Sequence, residues 1–186
     1  MSNLHASLYV PKEEDIFLFD TNILIYIFYP VMNSFSTKTY VTLYTQALKN
    51  KCTLVLPAIQ LSEFINRCIR FQFELYRDTQ DKNAIIDFKK DYRSTDDYRE
   101  SMNSILDIVK NDIFPNFTLV DDQFCSIDSD SILKYGFSYD FNDAFLVQIA
   151  NQNDAYIVTH DADFGNYHTK LPIITDNRLL ALFNTK

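Results

Sequence analysis

Ile16-Phe17-Leu18-Phe19-Asp20-Thr21-Asn22-Ile23-Leu24-Ile25 is an apolar run that ends on an acid, crosses two small polar residues and resumes as a second apolar run. An apolar run without alternation reads as a strand covered on both faces, the pattern of a parallel sheet. Asp20 then stands at the strand's carboxyl end, where open α/β sheets place their ligands. An Asp there also suits the N-cap of the helix that the second run begins. On this stretch alone both readings of Asp20 stay open.

Outward from it, strands and helices alternate. Ile23 to Tyr29 predicts a short helix stopping near Pro30, and Tyr40, Leu43, Tyr44, Ala47 and Leu48 mark a second helix within 36–50. Thr53 to Leu56 reads as a strand, and Pro57 suits the start of a helix running from Ile59 to about Asp78 with Glu63 in its first turns. Residues 79–112 are charge-rich but keep a helical period, with Ser94-Thr95 before Asp96-Asp97 as a start signal. Two helices are expected there, as a hairpin or an extension of the preceding one. Phe117 to Val120, Ala155 to Val158 and Leu171 to Thr175 read as three more strands. Ser129 to Tyr135, closed by Gly136, reads as a short helix, Tyr139 to Gln152 as an apolar one, and Arg178 to Phe183 as a last helical turn. The expectation is one α/β domain over residues 1–186, a three-layer α/β/α arrangement with a five-stranded parallel sheet and a helical extension near 79–112.

Composition narrows the chemistry. With 186 residues, 47% of them hydrophobic, and 16 Phe, the chain has ample material for a core. No apolar run is long enough to span a membrane, and Met1 to Asp15 lacks a signal-peptide layout. Cys52, Cys68 and Cys125 are widely spaced and read as thiols of a reducing compartment, so a cytoplasmic location is expected. The only glycines are Gly136 and Gly165, which excludes glycine-rich phosphate loops and a nucleophile elbow. The net charge of −8 argues against a nucleic-acid binder held by a basic surface. The deficit is local: residues 101–163 hold eleven acids against two bases. That segment is a solvated acidic face, a set of carboxylates converging on a cation, or both.

The carboxylates share one rule of placement. Asp20 follows the first strand, and Asp161 and Asp163 follow the fourth. Glu63 opens the helix after the second strand, and Asp143 lies in the helix before the fourth, three residues from Asp140. Taken singly, each is as well explained as a surface charge or cap; Asp140 suits an N-cap and Asp163 a turn. Taken together they meet at one sheet edge. Two carboxylates about 4 Å apart repel by about 4 kcal/mol at an effective dielectric near 20. Gathering four or five therefore requires protonation or a cation, and an all-oxygen donor set indicates Mg²⁺ or Mn²⁺ rather than zinc. Such a site suits the in-line displacement of nucleases and phosphatases. His160, the nearby imidazole, reads as a solvent-facing loop residue.

These residues resemble the PIN-domain nucleases over most of the chain. The match runs through Phe19-Asp20-Thr21-Asn22-Ile23-Leu24, Leu56-Pro57 with Glu63 downstream, Asn142-Asp143-Ala144-Phe145-Leu146-Val147, and Ile157-Val158-Thr159-His160-Asp161-Ala162-Asp163-Phe164. The resemblance implies Asp20, Glu63, Asp143 and Asp161 as metal acids with Asp163 auxiliary. It makes Thr21, Asn22 and Thr159 the residues that orient them; Asp140 is a further supporting candidate. It also implies Mg²⁺ or Mn²⁺, an RNA substrate and, as in the small toxin members of the family, an antitoxin partner and a homodimer. Two alternatives stand beside it. One is an inactive interaction module that keeps the fold; the other is a phosphatase of the haloacid dehalogenase type, which wants a second Asp where this chain has Asn22.

Overall fold

Apolar residues alternate between the two faces of a wholly parallel sheet, and helices cover both faces. The computed structural model describes residues 3–29, 35–81, 85–127, 129–133 and 140–182. Among them the strands are β1 (Leu4–His5), β2 (Ile16–Phe19), β3 (Thr53–Pro57), β4 (Thr118–Val120), β5 (Tyr156–Val158) and β6 (Ile174–Thr175). They lie in the order β1-β6-β5-β2-β3-β4, every pair parallel. The helices are α1 (Thr21–Phe28), α2 (Phe35–Lys49), α3 (Ala58–Asp78), α4 (Asp96–Ile108), α5 (Ser129–Ile132), α6 (Phe141–Gln152) and α7 (Arg178–Leu182).

Side chains of successive strand residues point to opposite faces, and the core divides accordingly. Phe17, Phe19, Leu54, Leu56 and Val158 join the cluster built with α1 to α4. Leu18, Val55 and Ile157 join the one built with α6 and α7. Every one of these side chains is buried, which is why their strands show no polar alternation. Among the described residues, no helix is long and apolar enough to cross a membrane.

Two expectations are corrected. The sheet has six strands rather than five, because Leu4–His5 adds a short edge strand beside β6. Its placement rests on backbone bonds from Leu4 N–H to the Ile173 carbonyl and from Ala6 N–H to the Thr175 carbonyl, both 2.8 Å. Asn3 reinforces them: its amide donates to the Leu180 carbonyl at 2.8 Å and accepts from Ile173 N–H at 3.2 Å. Second, the described part of 79–112 holds one α-helix, not two. Asp87 accepts from the N–H groups of Lys89 and Lys90 at 2.8 Å each, while Asp91 accepts from Asp87 N–H at 2.7 Å. Asp87 thus caps a single turn, which passes into a 3-10 turn at Tyr92–Ser94 instead of a longer helix. The start signal before α4 holds: Thr95 accepts from Tyr98 N–H at 3.1 Å, with Asp96 and Asp97 in the first turn. A π-helical turn, Val109–Ile113, then extends α4. Tyr135, Gly136 and Pro30, expected to close helices, lie outside the described residues.

Candidate active site

The chain moves from β2 to β3 and β4 on one side of the sheet, then returns to build β5 and β6 on the other. Strand order therefore reverses between β2 and β5, and the crevice at their carboxyl ends is where such sheets bind ligands. Asp20 follows β2 and Thr159 follows β5, joined through Asp20 N–H donating to the Val158 carbonyl at 2.9 Å.

Asp20 occupies the N-cap position of α1, yet its carboxylate makes no capping bond; only its backbone carbonyl serves the helix. The buried carboxylate instead accepts from the Thr159 hydroxyl at 2.9 Å and from the Asn22 amide at 3.3 Å. Thr159 also accepts from Asp161 N–H at 3.0 Å, so one hydroxyl aligns two acids. Thr21, fully buried, donates to Glu63 at 2.9 Å and orients the third. Asp140 caps α6 by accepting from Asn142 N–H at 2.7 Å and Asp143 N–H at 3.2 Å, which fixes the helix turn that carries Asp143.

Electrostatics tie the four acids together. Burial raises the Asp20 carboxyl to about 6, the Thr159 bond opposes this, and the charges of Glu63 and Asp161 add to it. Asp143 is raised to about 8, first by desolvation and then by the charges of Asp20, Asp140, Asp161 and Glu63. Asp163 stands apart: it is exposed, and its contribution is a backbone N–H given to Asp161 at 2.9 Å.

Three supporting residues escaped the sequence reading. Tyr40, fully buried in α2, donates to the Thr159 carbonyl at 3.1 Å, contacts His160 Nδ1 at 3.0 Å and accepts from Asp176 N–H at 2.8 Å. His160 is therefore anchored to Tyr40 and not simply a loop residue facing solvent. Gln60, also buried, donates its amide to the Phe19 carbonyl next to Asp20. Arg67 lies one turn beyond Glu63 and pairs with it at 3.6 Å, a spacing that the sequence does signal.

Among the described residues, no three His, Cys, Asp or Glu side chains stand close enough to hold an ion as they are placed. The donor set nonetheless fits a hard cation: it is carboxylate throughout, and burial together with neighbouring charge raises the proton affinity of Asp20 and Asp143. Mg²⁺ in particular binds through one or two carboxylates and keeps several waters, so a closed cage is not required. No family model matches the chain, and no curated protein matches it.

Proposed function

We propose that this chain is a metal-dependent ribonuclease of the PIN-domain type, hydrolysing RNA phosphodiester bonds at the carboxyl edge of β2 and β5. The observation that carries this reading is the hydrogen-bonded placement of Asp20, Asp161 and Glu63 by Thr159 and Thr21 at the point where strand order reverses, with Asp20 and Asp143 both raised beside them. Mg²⁺ or Mn²⁺, when bound, would polarise a phosphoryl oxygen and lower the pKa of a water molecule. Asp20, Glu63, Asp143 and Asp161 are the residues that would hold it, with Asp163 at the margin. Thr159 and Asn22 keep Asp20 oriented, Thr21 does the same for Glu63, and the Asp140 cap keeps Asp143 at its helix start. The phosphatase alternative loses ground because Asn22 donates to Asp20 where that chemistry wants an acid.

The test is cleavage of single-stranded RNA by purified protein with Mn²⁺ or Mg²⁺. Asp20→Asn and Asp143→Asn should each lower the rate by more than about a hundredfold, beyond the 10- to 100-fold typical of outer-shell changes. Cutting that survives chelation, or normal cutting by both variants, refutes the mechanism.

One observation favours a second reading, an interaction module on the same fold: the acids stand too far apart, as placed, to hold an ion by three side chains. Thermal unfolding separates the two. Millimolar Mn²⁺ at a hundred times its dissociation constant should add about 2.7 kcal/mol to a metal site, and nothing to the module. The antitoxin and homodimer that accompany the family resemblance are tested by co-expression with the neighbouring gene product and by solution mass.

A further inference from the structure

Between α1 and α3 lies a cavity of about 280 Å³, walled by Asn22, Tyr26 and Tyr29 from one side and by Arg67 and Phe71 from the other. The spacing explains the wall: positions 22, 26 and 29 share one face of α1 and its end, and 67 and 71 share one face of α3. Tyr26, Tyr29 and Phe71 are each half-buried, so their rings are neither lost in the core nor fully in solvent. Two of the wall residues also belong to the carboxylate site. Asn22 donates to Asp20 at 3.3 Å and Arg67 pairs with Glu63 at 3.6 Å, so the cavity wall adjoins the site.

Its volume lies just under the roughly 300–1,000 Å³ of pockets that take drug-sized ligands, a size suited to one flat heterocycle. Aromatic side chains grip unpaired bases by stacking, and an arginine fork matches a phosphate. Arg67 brings positive charge to the rim of a site otherwise lined with acids. We infer that this cavity is the subsite for one unpaired base of an RNA strand, held by Tyr26, Tyr29 and Phe71, with Arg67 on the adjoining phosphate. The inference rests on the ribonuclease reading for the identity of the strand. It adds what that reading lacks, a place where the base next to the cut is chosen.

The experiment uses the full chain, chelator to prevent cutting, and a short single-stranded RNA carrying one 2-aminopurine. Stacking in the cavity quenches the probe, so saturable quenching is expected. Tyr26→Ala should weaken binding about tenfold or more, in line with the effect of removing one stacking ring. Phe71→Leu makes the same demand should Tyr26→Ala fail to fold. Arg67→Gln should weaken the strand but leave the affinity of the unphosphorylated 2-aminopurine riboside unchanged. Absence of quenching, or affinity unchanged from the parent in both Tyr26→Ala and Phe71→Leu, overturns the subsite. Cleavage under Mn²⁺ without quenching removes the subsite and spares the nuclease. Quenching without cleavage keeps the subsite and removes the nuclease.

Discussion

Asp20 and Asp143 are carboxyls whose protonated forms the fold favours, one at about 6 and the other at about 8 against an ordinary 3.8. The folded state therefore holds protons that the unfolded chain releases. The resulting stabilisation is complete below about 3.8 and is lost as pH rises through the two folded values. Metal-free protein should lose stability across that window, with Asp143 contributing on the order of 2 kcal/mol after allowance for its contact with solvent. Asp143→Asn removes that loss, so its melting temperature should exceed the parent's by a margin that widens with pH. A margin independent of pH would mean that the fold does not raise the Asp143 carboxyl. Added Mn²⁺ should show the reverse trend, stabilising the parent more at higher pH because cation and proton compete for the same oxygens. The residues behind this behaviour were largely legible in the sequence. Asp20, Thr21, Asn22, Thr159 and Asp161 all lie within three residues of an apolar strand's end, and parallel topology alone brings such ends together. Tyr40 and Gln60 were not legible. Each is a polar group on an inward helix face, and the Tyr40 hydroxyl meets residues 119 and 136 positions away; no local pattern encodes such a bond.

Elements were readable where they carried their own apolar face. β2, β3 and β5 are short runs buried on both sides, and α3 and α6 have the length and spacing of packed helices. β1 has two residues and no apolar run, and only pairing with β6 makes it a strand. The region before α4 misled because its aromatic residues keep a helical spacing while serving a cluster rather than a helix. Tyr92 is at the centre of that cluster, fully buried, with ring centroids 5.2 Å from Phe73, 4.9 Å from Tyr76 and 5.5 Å from Tyr98. The cluster seats α4 and its approach on α3, the helix that carries Glu63 and Arg67. Tyr92→Ala should cost about 3–5 kcal/mol, as expected for loss of a large core aromatic. Tyr92→Phe keeps the ring and gives up the hydroxyl's bonds, chief among them the one to exposed Asp97 at 2.6 Å, a loss of about 1 kcal/mol. Urea unfolding with unchanged slope separates the two. Equal costs would mean that the hydroxyl, not the packed ring, holds the region together.

At the scale of the whole molecule, the −8 charge opposes RNA, and its distribution decides how much. The acidic surplus of residues 101–163 includes Asp143 and Asp161 of the candidate site, so a bound cation would neutralise part of it where the proposed substrate would pass. Several arginines are already engaged elsewhere. Arg77 pairs with Glu74, Arg99 pairs with Asp96 at 2.7 Å, and Arg70 lies 3.8 Å over the Phe88 ring. Arg67 is the arginine paired with a site acid, and it holds Glu63 only loosely, at 3.6 Å. Under the proposed ribonuclease reading, recognition would rely on stacking and on the cation rather than on a basic track. The affinity for single-stranded RNA should therefore fall only shallowly with monovalent salt. Each neutralised phosphate contributes a slope of about −0.7 on logarithmic axes, so one or two contacts predict about −0.7 to −1.4. The measurement is fluorescence anisotropy with Asp20→Asn protein, at fixed Mn²⁺, across a salt series. A slope of about −3 or steeper would require four or more phosphate contacts and would replace the stacking cavity with a basic surface as the source of binding. Repeating the series with Arg67→Gln should reduce the slope by roughly 0.7, the share of one contact, and an unchanged slope would remove Arg67 from the path of the strand.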